Sequence, residues 1–189
     1  MPSKAQSVDS QSAKARILQA GLLLFARMPF SETSLRDIAT EAQVDVAYVH
    51  RAFGSKAEIF RQALNGLADL DQIFVPGSSP DAVIERICDQ AFLRDPESFE
   101  DVQPLHLVMQ SCACSEARNI IDTFVTTHIA WPLARAFGQE DNSRAMLAVS
   151  LLCGFVTMRI VIGSTDLQRV EAARMKAMLA RTLQAAMAS

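Results

Sequence analysis

The sequence predicts an all-α protein, and three observations lead there. Apolar residues recur at three- and four-residue spacing through most of the 189 residues. No segment alternates apolar and polar residues as a half-buried strand would, and no internal repeat is visible. Residues 33–56, TSLRDIATEAQVDVAYVHRAFGSK, read as two short helices joined by a tight turn, with a third helix opening at once. The expected layout is an arm over residues 1–11, a three-helix domain with a helix-turn-helix over residues 12–56, and a second helical domain over residues 57–189. A helix from about 55 to 73 would connect the two domains.

The start, MPSKAQSVDSQSAKAR, has no apolar core for a signal peptide and reads as a disordered arm. Lys4, Lys14 and Arg16 there can touch phosphates or belong to a solvated tail. Thr33 and Ser34 stand ahead of Leu35, Ile38, Ala39 and Ala42, whose spacing makes one apolar helix face. Asp37, three residues after Ser34, can complete a reciprocal cap. Gln43, Val44 and Asp45 interrupt the pattern; Val44 would fill the space between two helices and Asp45 can cap the next. Within Val46–Phe53 the inward residues are Val49 and Phe53, leaving Val46, Ala47, Tyr48, His50, Arg51 and Ala52 mainly to the other sides. Gly54 ends this helix, Ser55 caps again, and Lys56 starts a helix through Ile59, Phe60, Ala63, Leu64 and Leu67.

Three short helices around a small core hold Val46–Phe53 on the surface, which points to double-stranded DNA rather than catalysis. Arg36, Val46, Ala47 and Tyr48 are the base-reading candidates, since an Arg fork matches guanine and small or aromatic side chains reach base edges. Thr33, Ser34, His50, Arg51 and Lys56 are the phosphate candidates, Lys56 together with the free amides at its helix start. The bland alternative is a helical core with a solvated charged face.

The stretch over residues 17–60 resembles the N-terminal domain of tetracycline-repressor (TetR) type transcriptional regulators. Phe25-Ala26, Thr33-Ser34, Ile38-Ala39, Val44 and Phe53-Gly54-Ser55-Lys56 fall in register with the family pattern. Five positions depart from it. Pro29 and Gln43 stand where the family has glycine, and Ala47 takes a small-residue position that is often glycine. His50 replaces a phosphate-contacting tyrosine, and Ala52 a common histidine. His50 can still donate to a phosphate and Ala52 cannot, so the resemblance implies a kept docking geometry and an operator of its own.

Charge agrees with that division. The net charge is −3, yet residues 1–66 carry +2 and the remainder −5, so the basic excess lies in the DNA-binding part. Cys88, Cys112, Cys114 and Cys153 have no disulfide-framework spacing, which suits a reducing cytoplasm. Cys112 and Cys114 are two apart, about 200° around a helix, and cannot grip one metal without unwinding it. No metal and no cofactor is expected. The longest uncharged run, residues 145–158, fits a buried helix better than a membrane span.

Beyond residue 76, Pro-Gly-Ser-Ser-Pro is a breaker, with Ser79 as cap and Pro80 at the first position of a helix carrying Val83, Ile84, Ile87, Cys88, Ala91 and Phe92. Pro104 opens a helix through Leu105, Val108, Met109 and Cys112. Ser115 opens a longer one through Ile120, Ile121, Phe124, Val125, His128 and Trp131, which Pro132 should bend. Residues 138–142 form a loop. The last two helices are expected over residues 143–162 and 166–188, separated by Gly163-Ser164. The first of these is apolar around most of its circumference, and the second has Met175, Leu179, Leu183 and Met187 at four-residue steps. Against the same pair from a second copy they would make a four-helix bundle, with intramolecular core as the alternative. The resemblance implies that these helices form a homodimer interface. Two recognition helices would then sit ~34–36 Å apart on a palindromic operator.

The resemblance also implies a small-molecule effector pocket in the second domain. Phe124, His128 and Trp131 share one helix face, with a hydrogen-bonded core histidine as the alternative. Phe92, His106, Met109 and Gln110, together with Phe155, Met158 and Arg159, are the companions of a largely apolar site. Arg159, a charge inside an apolar helix, should pair with an acid, reach solvent or meet an anionic ligand. No nucleophile triad, glycine-rich phosphate loop or paired-carboxylate site stands out, so no enzyme activity is expected. A helical enzyme and a helical adaptor are the competing classes; an adaptor would not need the residue 33–56 pattern.

Overall fold

The computed structural model describes residues 4–67, 70–92 and 104–188, with side chains described over 13–66, 70–92 and 107–188. Among the described residues there is no strand. The first helices are α1 (Lys4–Arg27), α2 (Leu35–Glu41), α3 (Val46–Phe53), α4 (Lys56–Leu67), α5 (Leu70–Ile73) and α6 (Pro80–Phe92). There follow α7 (Pro104–Ser111), α8 (Ser115–Val125), α9 (Trp131–Ala136), α10 (Ser143–Val156), α11 (Thr165–Arg169) and α12 (Ala172–Met187). Thr126–Ala130 and Thr157–Val161 are π-helical turns. Helix α1 begins at Lys4, so the disordered arm expected over residues 1–11 is helical from that residue on. No glycine or proline interrupts residues 4–20.

The chain forms two compact units. Unit one is Met1–Ala68 with Val102–Asp122; unit two is Asp69–Asp101 with Thr123–Ser189. Helix α4, which the sequence reading places in the second domain from residue 57 on, lies within unit one. Helix α4 packs on α1 within unit one, and so does α7, a segment the sequence places with the later helices.

The core of unit one is aromatic. Phe25, Phe30 and Phe60 are fully buried, with ring centroids 5.7, 5.0 and 5.1 Å apart, separations at which edge-to-face pairs are favourable. Ile17, Ile38, Val49, Ile59, Leu64 and Leu107 complete it. Gly21 lets α1 approach α4 closely, for a Cβ there would lie 2.7 Å from Ile59 Cγ2.

Unit two packs α6, α9, α10 and α12 around Ile84, Cys88, Leu133, Ala134, Ala148 and Leu183. Ser79 caps α6, its Oγ accepting from the Ala82 N–H at 3.2 Å, and Pro80 opens that helix as expected. The row Met175, Leu179, Leu183 and Met187 is buried inside this unit, so it is core rather than the dimer surface the sequence suggested. The reason is that α6 and α10 of the same chain cover it. The large apolar residues left exposed on the last helices are instead Leu147, Leu151, Met158 and Ile162, along α10 and through the π turn to its end, with Met178 on α12.

Two departures concern helix continuity. Pro132 does not simply bend one long helix. The turn before it widens, and the Trp131 N–H donates to the Thr126 carbonyl five residues back, which re-registers the backbone ahead of the residue that has no N–H. The helix expected over residues 166–188 is broken: Val170 and Glu171 are extended, with ψ of 133° and 132°, between α11 and α12.

Candidate nucleic-acid interface

The helix-turn-helix is assembled by local caps. Ser34 Oγ accepts from the Asp37 N–H at 3.2 Å, while Asp37 Oδ2 accepts from the Ser34 N–H at 2.9 Å and from its hydroxyl at 2.6 Å. This is the reciprocal cap that the sequence predicts, and these hydrogen bonds hold the Asp37 carboxyl below its ordinary value. Helix α2 ends with the Val44 N–H on the Ala39 carbonyl and the Gln43 N–H on the Thr40 carbonyl. Such an ending needs a left-handed residue between helix and exit. Gln43 supplies it, with φ of 54°, the single non-glycine residue at positive φ among the described residues. Asp45 then caps α3, accepting from the Ala47 N–H at 2.6 Å, and Gly54 ends it at φ 75°.

Helix α3 buries Val49 and Phe53 and turns its other side outward. Val46 (40% exposed), Ala47, His50 and Arg51 are all on the surface. Val46 with His50, and Ala47 with Arg51, are i,i+4 pairs that share one outward face. Arg36 and Ser34 are exposed on the adjoining helix. Tyr48 is half-buried and engaged with its surroundings, so it belongs to the edge of this face.

Two phosphate candidates are placed differently from expectation. Thr33 is buried, and its N–H and hydroxyl both donate to the Pro29 carbonyl at 3.2 Å, so it shapes the entry to α2 and is not presented to a ligand. Lys56 Nζ donates to the Phe30 carbonyl at 2.5 Å and lies 4.2 Å from the centre of that ring. A lysine carries three donors, so its charge remains available at the helix start while one proton is engaged.

The effector candidates are divided between the two units. Met109 and Gln110 are exposed on α7 in unit one, because Leu107 is the residue of that helix turned inward; the His106 side chain lies outside the described residues. In unit two, Phe124 and His128 pair at 5.4 Å, but His128 is exposed rather than a core histidine, and Arg135 lies 5.9 Å from the Trp131 ring. Met158 is 45% exposed. Phe92, Phe155 and Arg159 do come together: the rings are 5.7 Å apart and the guanidinium carbon sits 4.5 Å from the Phe92 centroid. Phe92 and Arg159 line a cleft of about 250 Å³ whose other wall is residues 167–172 and Met175. That wall was missed because it exists only where α11 and α12 part. Burial pushes the Cys88 thiol up to about 11, so it is not a reactive group.

Comparison with known proteins agrees with this architecture. Residues 17–63 match the family described as bacterial regulatory proteins, tetR family, and residues 85–187 match the tetracyclin repressor-like C-terminal domain. The chain is 34% identical over 80 residues to the HTH-type transcriptional repressor Rv3405c of Mycobacterium tuberculosis and to the HTH-type transcriptional regulator Mb3439c of Mycobacterium bovis. That match spans 42% of this chain and 43% of each relative, less than half of either. Among solved structures, NalD of Pseudomonas aeruginosa, the secondary repressor of the MexAB-OprM multidrug efflux pump, superposes with a TM-score of 0.66 at 16% identity, over 94% of this chain and 97% of that one. The TetR-family regulator SCO0857 of Streptomyces coelicolor A3 does so with 0.58 at 23% identity, over 94% and 95%. An outward α3 capped at both ends, and family matches at both ends of the chain, lead to one conclusion: this is a TetR-family transcriptional regulator, a DNA-binding protein and not an enzyme.

Proposed function

We propose that the chain is a ligand-responsive repressor that binds a palindromic operator as a homodimer in the cytoplasm. The observation that carries the reading is the outward face of α3, with Val46, Ala47, His50 and Arg51 exposed beside Arg36 while Val49 and Phe53 anchor the helix from behind. Arg36 and the first turn of α3 would read bases, with Tyr48 at the edge; Ser34, His50, Arg51 and Lys56 would hold phosphates.

The dimer would form through the exposed stripe Leu147, Leu151, Met158 and Ile162 with Met178 of α12. A self-complementary apolar patch of this kind suits a two-fold interface. The stretch Ser143–Val161 is also long and apolar enough to cross a membrane. Its Ala145 and Ala148 are buried in the core of unit two, which favours a face covered by a second copy. Release of the operator on ligand binding would follow if an effector bound one dimer geometry better than the other.

Selection of bound sequences from random duplex DNA tests this directly. A recovered palindrome supports operator binding by a symmetric dimer; no enrichment of any sequence removes operator binding and favours a helical adaptor.

A further inference from the structure

We infer that the cleft between Phe92, Arg159 and the α11–α12 break binds a small amphipathic monocarboxylate. The inference rests on the ligand-responsive reading above and gives that ligand a chemical class.

Arg159 is a half-buried cation on an apolar helix, and no carboxylate lies within ion-pairing distance of it among the described residues. Among the described residues its one hydrogen bond is a long one to the Ala91 carbonyl at 3.4 Å. A guanidinium has five donors, so among the described residues most of its fork is without a partner. The group is also oriented in advance: it lies on the Phe92 ring, 4.5 Å from its centre, and that ring rests against Phe155. A partly buried charge without a counterion is costly, and a planar fork answers a carboxylate with two parallel bonds.

The rest of the lining sets the remainder of the ligand. Phe92, Leu167, Val170 and Met175 give apolar surface. The other charged lining groups are Arg169, which pairs with Asp166 at 3.6 Å, and Glu171. With Asp166 answering Arg169 the cluster is neutral as a whole, so the preference for an acid rests on the Arg159 fork alone. At about 250 Å³ the cleft is smaller than a typical drug-sized site of roughly 300–1,000 Å³. A short alkyl chain or one aromatic ring is what it can hold.

The test is titration calorimetry on the full chain with octanoate, phenylacetate and, as an uncharged match, octan-1-ol. At least one carboxylate should bind at least ten-fold more tightly than the alcohol. Arg159→Gln should weaken the carboxylate ten-fold or more and leave the alcohol unchanged, with Arg159→Lys intermediate because it keeps the charge without the fork. Leu167→Trp fills the cleft from its other wall while keeping the residue Arg159 and should abolish carboxylate binding, so the test survives if Arg159→Gln fails to fold. No binding by either carboxylate, equal affinity for acid and alcohol, or binding indifferent to Leu167→Trp would overturn the proposal. A carboxylate that binds in this Arg159-dependent way but leaves operator affinity unchanged keeps the site and removes ligand-controlled release. Release of the operator by other compounds, with no carboxylate bound, does the reverse.

Discussion

Lys56 places its ammonium 2.5 Å from the Phe30 carbonyl oxygen and 4.2 Å from the centre of the Phe30 ring, tying the first residue of α4 to the loop that follows α1. The two residues are 26 apart in sequence. Phe30 belongs to the buried aromatic trio, so the lysine fixes the start of α4 against the core of the reading domain.

Lys56→Ala should therefore have two effects. A charged hydrogen bond and a cation–π contact at a half-buried site are together worth roughly 1–3 kcal/mol, which a urea melt would show as a lower midpoint. Operator and random DNA should lose affinity alike, with a flatter salt dependence, because a phosphate contact carries no sequence information. Unchanged stability would mean that the clamp contributes nothing to folding. An unchanged salt slope would remove Lys56 from the phosphate set.

Gly21 marks the closest approach of α1 to α4. A Cβ at this position would meet the stiff, fully buried Ile59 side chain at 2.7 Å. Overpacking of this kind costs about 1–3 kcal/mol, against a gain of roughly 1 kcal/mol from the better helix propensity of alanine. Gly21→Ala should lower the urea midpoint, whereas the same change at Gly66, where nothing lies within 4 Å of the added atom, should raise it.

Gln43 is the reverse case. Its φ of 54° is a conformation that costs an L-residue roughly 1–2 kcal/mol and glycine little. After the greater loss of chain entropy by glycine, Gln43→Gly should still stabilise by about 0.5–1 kcal/mol, while Gln43→Ala should not. A drop in thermal midpoint for the glycine variant would show that the Gln43 side chain makes up for its backbone.

The Ser34–Asp37 cap should respond to acid. Hydrogen bonds from Ser34 lower the Asp37 carboxyl below its ordinary value of 3.8 in the folded state. A group depressed on folding contributes its stability above the unfolded-state pKa and loses it as pH falls through the folded one. Stability measured by denaturant melts from neutral pH downward should fall less steeply in Asp37→Asn than in the natural chain. Parallel curves would mean that the cap contributes no pH dependence.

The elements nearest the DNA face were legible in the sequence because their determinants are local. Caps at Ser34, Asp45 and Ser55, a stop at Gly54 and the four-residue step from Val49 to Phe53 are all written within a turn or two of chain. What depends on distant packing was not. Periodicity shows that α12 has an apolar row, but not that α6 and α10 cover it. The break at Val170 and Glu171 carries neither glycine nor proline, and so left no local mark. The π turn before Trp131 is visible only through Pro132, which announces a disturbance without saying how the backbone absorbs it. Thr33 looked like a phosphate donor by residue type, yet Pro29 accepts both of its donors.

The exposed stripe on α10 gives the sharpest test of association. Leu147 is 54%, Leu151 40%, Met158 45% and Ile162 61% exposed, and Gly154 between them has nothing within 4 Å of where a Cβ would stand. A facing helix could approach closely there. Burying one leucine is worth ~1.5–3 kcal/mol, and a two-fold interface repeats each change on both sides. Leu151→Glu should therefore give a folded monomer by sedimentation, with the helical spectrum kept and operator affinity lost by orders of magnitude. Leu183→Glu, on the buried row of α12, should instead unfold unit two. If the natural chain sediments as a monomer, or the Leu151 variant remains a dimer, the pairing surface lies elsewhere; recovery in the membrane fraction would point to a lipid-facing helix.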